Sequence, residues 1–397
     1  MNGGRWFCHD GQQVPLTRKA QFTGDGQNRS RMTTGTAAKV EFGQPDALRN
    51  CKMQVNGRVL YACEFYLSIW STLFRRHFAS TDGGKSTLLL NKSYSAVLEF
   101  LQCIYPTQKQ VDGNNLKVLL QTASDFESEG VLIKCMDYLR RGSALSPIER
   151  LELADRYRLE PLLTELIVHF STQRSLNIES THYLNVSDHT KVRLLEGLYR
   201  KGGIGDSKRH TKMTLAGHEK TTLKRFELKS DLNFTALRTQ GSRVFYINPY
   251  YVAAWSQLAF DTVVSMTTVE SLSVAVTDDE AEAFLLAVYP PMEPCTHRNA
   301  SLRLRAACAW RSPGLLCLTV GYVLNESANL NTGEKLLMLD GCQLHNVMPT
   351  CLLEMTDAQG LIDLVTRPVY EAFSSQAKAC ILDRLVALLK QARNAVL

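Results

Sequence analysis

Cys51, Met53 and Val55 alternate with polar residues, which predicts a strand with one buried face. Asn56-Gly57 follows, the dipeptide suited to a two-residue hairpin turn, and Arg58–Tyr61 return as a second strand. From Glu64 the period changes. Tyr66, Ile69 or Trp70, Leu73, Phe74 and Phe78 fall at three-to-four spacing, which predicts one amphipathic helix over 64–78. After a turn comes a strand at 87–90, then a helix at 95–105 with Ser93 as its cap and Pro106 as its stop. Helices at 116–126 and 131–139 follow, parted by Gly130. Ser146-Pro147 opens a further helical run, and Pro161 stands in the first turn of the next one. The pattern is that of a small sheet covered by helices, followed by helices alone.

The same pattern occurs twice. RVLYACEFYLSIWS at 58–71 aligns without gaps on RVFYINPYYVAAWS at 243–256, sharing Arg58/Arg243, Val59/Val244, Tyr61/Tyr246, Tyr66/Tyr251, Trp70/Trp255 and Ser71/Ser256. FLQCIYP at 100–106 matches FLLAVYP at 284–290, and Ala123, Gly130, Leu132 and Tyr138 meet Ala307, Gly314, Leu316 and Tyr322. Glu149, Leu151, Asp155 and Leu159 meet Glu334, Leu336, Asp340 and Leu344, and Lys191, Leu195 and Leu198 meet Lys378, Leu382 and Leu385. An offset this constant marks a duplicated unit.

Duplication disposes of a tempting motif. Gly84-Lys85-Ser86-Thr87 before three leucines suggests a phosphate-binding loop, but Ala79 stands where the loop needs glycine, and a helical pattern precedes it instead of a strand. Positions 84–86 correspond to Thr268-Val269-Glu270 of the second unit, whose strand SLSVAV (271–276) ends at Thr277. Thr277 and Glu280 form a capping-box signature. Gly83-Gly84 are a turn, Lys85 is a solvated charge, and no nucleotide site is assigned. KLLMLD at 335–340, which resembles a magnesium-binding strand end, corresponds to RLELAD at 150–155 and is a helix.

Composition adds few constraints. The chain has 397 residues, 45% of them hydrophobic and 21% charged, which suits a globular protein of two or three domains. No apolar run is long enough to cross a bilayer, and the start lacks a secretory pattern. Eleven scattered cysteines without a C-x-x-C pair suggest reduced thiols, and hence the cytoplasm or nucleus. Cys342-x-x-His345 lacks a second half-site for zinc. The histidines show no catalytic spacing. No catalytic, cofactor or metal residue is assigned. A net charge of +6 is modest, so nucleic acid is not an expected partner, although the Lys- and Arg-rich stretch 201–225 offers an alternative contact.

The residues resemble the BTB/POZ domain followed by a partial BACK-like helical extension. The resemblance rests on Asp46 and Asp231 before the first strand, on Leu67, Ser71 and Phe74, and on the signatures Phe100–Tyr105 and Phe284–Tyr289. Ala123-Ser124-Asp125-Phe126 is close to a further family helix. The usual histidine after the second strand is Cys63 in one unit and Asn248 in the other, and Val252 and Ala259 replace the leucine and phenylalanine in the second.

This implies an α+β, mostly helical fold of two BTB/POZ-like units. The expected division is a disordered tail at 1–44, a first unit at 45–142 with its extension at 143–200, a basic flexible linker at 201–225, and a diverged second unit at 226–327 with its extension at 328–397. Trp70, Phe74, Phe100, Tyr105, Trp255, Phe284 and Tyr289 are expected in the cores, with the two tryptophans in equivalent buried sites. The resemblance further implies a non-catalytic interaction module or adaptor, with cullin-3 ubiquitin ligase as a candidate partner. Contacts are expected near Phe78 and Asp82 in the first unit and Val269 and Glu270 in the second. The family's hydrophobic-x-Glu cullin pattern is not matched at Ser80-Thr81-Asp82, and at Thr268-Val269-Glu270 its first residue is polar. A transcription-associated role through the basic linker is the alternative. BTB units also pair with one another, and the two units are expected to do so within the chain.

Overall fold

The computed structural model describes residues 41–80, 87–106, 108–141, 144–173, 176, 178–202, 225–265, 269–327 and 329–396. Most of the expected tail and linker, and Asp82 to Lys85, lie outside these residues. Strand β1 (Cys51–Val55) buries Cys51, Met53 and Val55, and β2 (Arg58–Ala62) pairs with it antiparallel, Cys51 opposite Ala62. Asn56 and Gly57 turn the chain with φ of 46° and 76°, the left-handed geometry a tight hairpin requires. The short strand β3 (Leu88–Leu90) joins the other edge of β1 in parallel, Met53 opposite Leu88.

Five helices accompany this sheet: α1 (Glu64–Trp70), α2 (Thr72–Ala79), α3 (Tyr94–Ile104), α4 (Leu116–Asp125) and α5 (Glu129–Arg141). The single helix expected over 64–78 is two helices, broken at Ser71. Ser71 is extended (φ −141°, ψ 125°), closing α1 and capping α2. Its Oγ accepts the Phe74 N–H at 3.1 Å and donates to the Phe126 carbonyl at 2.5 Å, so the break leaves its polar groups bonded. Periodicity carries no trace of this, because the apolar stripe continues across the break. Gly130 also differs from expectation. It lies within the first turn of α5 instead of between helices.

Helices α6 (Pro147–Arg156), α7 (Glu160–Gln173), α8 (Thr181–Leu184) and α9 (Asp188–Gly202) complete the first half. The second half repeats the plan. Strands β4 (Thr235–Arg238), β5 (Val244–Ile247) and β6 (Ser271–Ser273) form a sheet of the same order, β4 antiparallel to β5 and parallel to β6. Leu272, Val274 and Val276 are buried in alternation, as expected for 271–276, although only the first three residues pair as a strand. Then come α10 (Pro249–Trp255), α11 (Gln257–Ser265), α12 (Asp278–Val288), α13 (Ala300–Ala309) and α14 (Pro313–Asn325). The C-terminal helices are α15 (Thr332–Gly341), α16 (Met348–Leu352), α17 (Ala358–Thr366) and α18 (Ser375–Val396). Ser256 breaks α10 from α11 as Ser71 does, accepting from Ala259 N at 3.2 Å and donating to the Trp310 carbonyl at 2.5 Å.

Capping follows the sequence closely. Reciprocal boxes join Ser146 to Glu149, Thr277 to Glu280 and Asn331 to Glu334. Ser93 is an exception: it starts α3 without a side-chain cap, its hydroxyl bonding Ser95 at 2.7 Å instead. The expected tail is also shorter than 1–44. Phe42 is 2% exposed, its ring meets Tyr105 edge-on at 5.0 Å, and its carbonyl takes the Tyr61 N–H. Phe226 meets Tyr289 the same way at 4.9 Å.

The expected core residues Trp70, Phe74, Phe100, Tyr105, Trp255, Phe284 and Tyr289 are all buried. Leu67 and Val252 are fully buried too, as are Phe74 and Ala259, so the divergence at 252 and 259 concerns packing inside each half. In the first half, Phe74 and Phe100 pack on Phe126 at 4.8 and 5.0 Å. In the second, Ala259 leaves room, and Trp310 in the place of Phe126 stacks on Phe284 at 4.3 Å. One aromatic shrank and another grew, which conserves core volume.

Two equivalent carboxylates tie the ends together. Asp155 accepts from Ser187 N, Ser187 Oγ and Thr190 Oγ1 at 2.6 to 2.7 Å, fixing the start of α9. Asp340 accepts from Ser374 N and Oγ and contacts His345 Nε2, fixing the start of α18. Burial pushes both carboxyls up, but the hydrogen bonds outweigh it and hold both below the ordinary carboxylate value. A lowered folded pKa stabilises above the unfolded value and is lost as pH falls through the folded one. Stability is therefore expected to fall as pH drops below about 4, and Asp155→Asn with Asp340→Asn should flatten that decline. Urea midpoints between pH 7 and pH 3 check it. A wild-type acid limb as shallow as the double variant's would contradict it.

Candidate functional site: the seam between the halves

The two halves meet along α1 and α10, and their contacts are reciprocal. Trp70 Nε1 donates to Tyr251 Oη at 3.2 Å, and Trp255 Nε1 donates to Tyr66 Oη at 3.1 Å. Each tyrosine hydroxyl in turn donates within its own half, Tyr66 to the Ile104 carbonyl at 2.8 Å and Tyr251 to the Val288 carbonyl at 2.5 Å. Tyr66 stacks on Tyr251 at 4.5 Å, and Phe65 stacks on Tyr250 at 4.9 Å. Residue i meets the partner of j while j meets the partner of i. That is the rule of a two-fold interface, here executed inside one chain.

The stacking extends outward on both sides. Tyr105 lies on Tyr66 at 4.1 Å, Tyr289 on Tyr251 at 4.4 Å, and Phe42 and Phe226 close the ends, giving a column of six rings across the seam. Aromatic pairs contribute roughly 0.5–1.5 kcal/mol each beyond the area they bury. Burial pushes all four tyrosine hydroxyls far up, so they remain protonated. Tyr105 and Tyr289 also accept from the backbone, from Cys63 N and Asn248 N, both at 2.9 Å. In the second half Asn248, which stands where the histidine was expected, also accepts from Tyr251 N at 3.1 Å and caps α10.

Trp70 and Trp255 are each 2% exposed in matching positions. Their indoles face the opposite half, so they are seam residues as well as core residues. A single copy's helical spacing locates the apolar face of α1 but not what covers it. Glycines let the backbones approach: an added Cβ at Gly130 would meet Pro290 and Trp70, and at Gly314 it would meet Pro106 and Trp255.

Away from the seam, α2 and β3 border a groove of about 590 Å³ lined by Leu73, His77 and Leu88 to Leu90 among others. Phe78 is half-buried beside it, packed on His77 and Phe74. Leu89 is 73% exposed, and the second half places the polar Ser273 at the matching strand position. Val269 is buried and its carbonyl accepts from Thr235, so its side chain belongs to the core, while Glu270 is exposed. Among the described residues no cluster of His, Cys, Asp and Glu is arranged to hold a metal, and no helix is long and apolar enough to cross a membrane.

Comparison with known proteins assigns the first sheet and its five helices. Residues 41–143 are a BTB/POZ domain. The match begins at 41, which agrees with the place of Phe42 in the core. BTB domains are protein–protein interaction modules and are generally non-catalytic. A relative, BTB and MATH domain-containing protein 38 of Caenorhabditis elegans, is 26% identical over 165 residues. That alignment covers 40% of this chain and 42% of the relative, so the chain spans less than half of that protein's length.

Proposed function

We propose that this chain is a protein–protein interaction scaffold in which a BTB domain carries its own dimerisation mate. The residues from 226 are read as a second, diverged BTB unit, and the helices after each unit as BACK-like extensions. The reciprocal Trp–Tyr bonds and the aromatic column carry this reading. A mate on the same chain sits at roughly millimolar effective concentration, so pairing within the chain outcompetes pairing between chains at cellular levels. The first unit keeps the apolar α2–β3 groove with Leu89 exposed, and there the partner docks; cullin-3 ubiquitin ligase is the proposed partner. The second unit has a serine in place of that leucine and supports the first. Localisation to the cytoplasm or nucleus goes with this reading.

Light scattering on the intact chain, combined with titration by the amino-terminal domain of cullin-3, tests it. The chain should be a monomer at tens of micromolar and should bind one cullin. Leu89→Asp should weaken that binding at least tenfold, as loss of an anchor at an interface centre does, without moving the melting temperature. A homodimer would overturn the pairing, and absent or Leu89-insensitive binding would overturn the assignment of the partner.

A further inference from the structure

Helix α13 is shared between two cores. Ala306, Ala307 and Trp310 belong to the large cluster that runs through both halves, whereas Ala300 and Leu304 belong to a second cluster built with α15 to α18. Helix α14 is divided in the same way, Leu315 in the large cluster and Val323 in the second, so the C-terminal extension is held to the second unit through α13 and α14. On α13 Cys308 faces Cys342, the residue that caps the C-terminus of α15. Cys308 Sγ lies 4.0 Å from the Cys342 carbonyl oxygen, which places the two thiols side by side between the helices. Both are partly exposed, unlike the buried Cys51, Cys63, Cys103, Cys135 and Cys351. The first half has Ser124 and Tyr157 at these positions, so the thiol pair is particular to the second half.

We infer that Cys308 and Cys342 are a reversible redox pair whose disulfide staples the C-terminal extension to the second unit. Interaction between the neighbouring thiols lowers the Cys308 pKa and raises that of Cys342, which together with the contact of Cys308 Sγ on the Cys342 backbone favours Cys308 as the attacking thiolate. With a small disulfide such as oxidised glutathione as oxidant, Cys308 loses its proton and attacks one glutathione sulfur. The S–S bond breaks and one glutathione thiolate leaves. Cys342 then loses its proton and attacks the Cys308 sulfur of the mixed disulfide, forming the internal S–S bond and expelling the second glutathione. The protein gives up two protons and two electrons, and one glutathione disulfide becomes two thiols. The reverse exchange opens the staple.

The full-length chain, equilibrated in graded mixtures of oxidised and reduced glutathione, then acid-quenched, alkylated and digested, tests this by mass spectrometry. The expected product is a Cys308–Cys342 linked peptide that disappears under reducing mixtures. Its formation should raise the melting temperature by several degrees, since a cross-link constrains the unfolded chain. Cys342→Ser should instead accumulate glutathione on Cys308, because the resolving thiol is gone, while reduced Cys342→Ser melts within about 2 °C of wild type. If other cysteines oxidise without this linkage, or if Cys308 carries glutathione equally in wild type and Cys342→Ser, the redox pair is excluded.

Discussion

Trp255→Ala is expected to cost about 3–5 kcal/mol of stability, the range for deleting a buried aromatic side chain. The indole is 2% exposed and lies across the seam, where an added Cβ on Gly314 would stand 3.5 Å from its ring. Its loss opens a void between two halves that cannot close without separating other rings of the column. The hydrogen bond itself is a smaller contribution. Tyr66 keeps its bond to the Ile104 carbonyl at 2.8 Å, so no buried hydroxyl is left without a partner. Trp70→Ala should cost a similar amount, with the added loss of the Lys134 ammonium, 5.0 Å from the indole centre. Because both indoles bond to the stacked pair Tyr66 and Tyr251, the double variant should depart from additivity by about 0.5–3 kcal/mol. Urea unfolding followed by circular dichroism measures all three. Single losses under about 1 kcal/mol, or strict additivity, would show that the seam does not hold the halves together.

Much of the fold was legible from local chemistry. The alternation at Cys51, Met53 and Val55, the turn at Asn56-Gly57, the helix start at Ser146-Pro147 and the box at Thr277/Glu280 involve neighbours in the chain, and short-range physics decides them. The repeat located matching elements in the second half. What escaped was long-range. The break at Ser71 depends on the Phe126 carbonyl, and Phe42 is buried because Tyr105 is there to receive it. The replacement of Leu67 and Phe74 by Val252 and Ala259 looks in sequence like decay of a binding surface. In three dimensions it is a trade of volume within one core. The candidate site was legible only in part. Helical spacing shows that Trp70 and Trp255 are covered. Only the reciprocal contacts show that each is covered by the other half.

Gly130→Ala is expected to destabilise the chain by about 2 kcal/mol, although alanine is the better helix former by about 1 kcal/mol. The new methyl would stand 2.8 Å from Pro290 Cβ and 2.8 Å from Trp70 Cζ3. Neither neighbour can yield: the proline ring is rigid, and the indole is pinned by its bond to Tyr251. The strain is relieved only by moving the second half away, which loosens the Tyr66–Tyr251 stack. Gly314→Ala makes the contrasting case. There the nearest atoms are Pro106 Cβ at 3.2 Å and the Pro106 carbonyl oxygen at 3.3 Å, so a shift of a few tenths of an ångström suffices. The gain in helix propensity should then cancel the strain, leaving a change within about 0.5 kcal/mol. Gly130→Val should exceed both, at about 3 kcal/mol or more, because a branched side chain cannot avoid Pro290 and Trp70 together. A loss that shrinks from Gly130→Val to Gly130→Ala to Gly314→Ala is specific to this seam. Two alanine variants of equal stability, measured by thermal and urea unfolding, would mean that the halves are not packed through Pro290 and Pro106 as described.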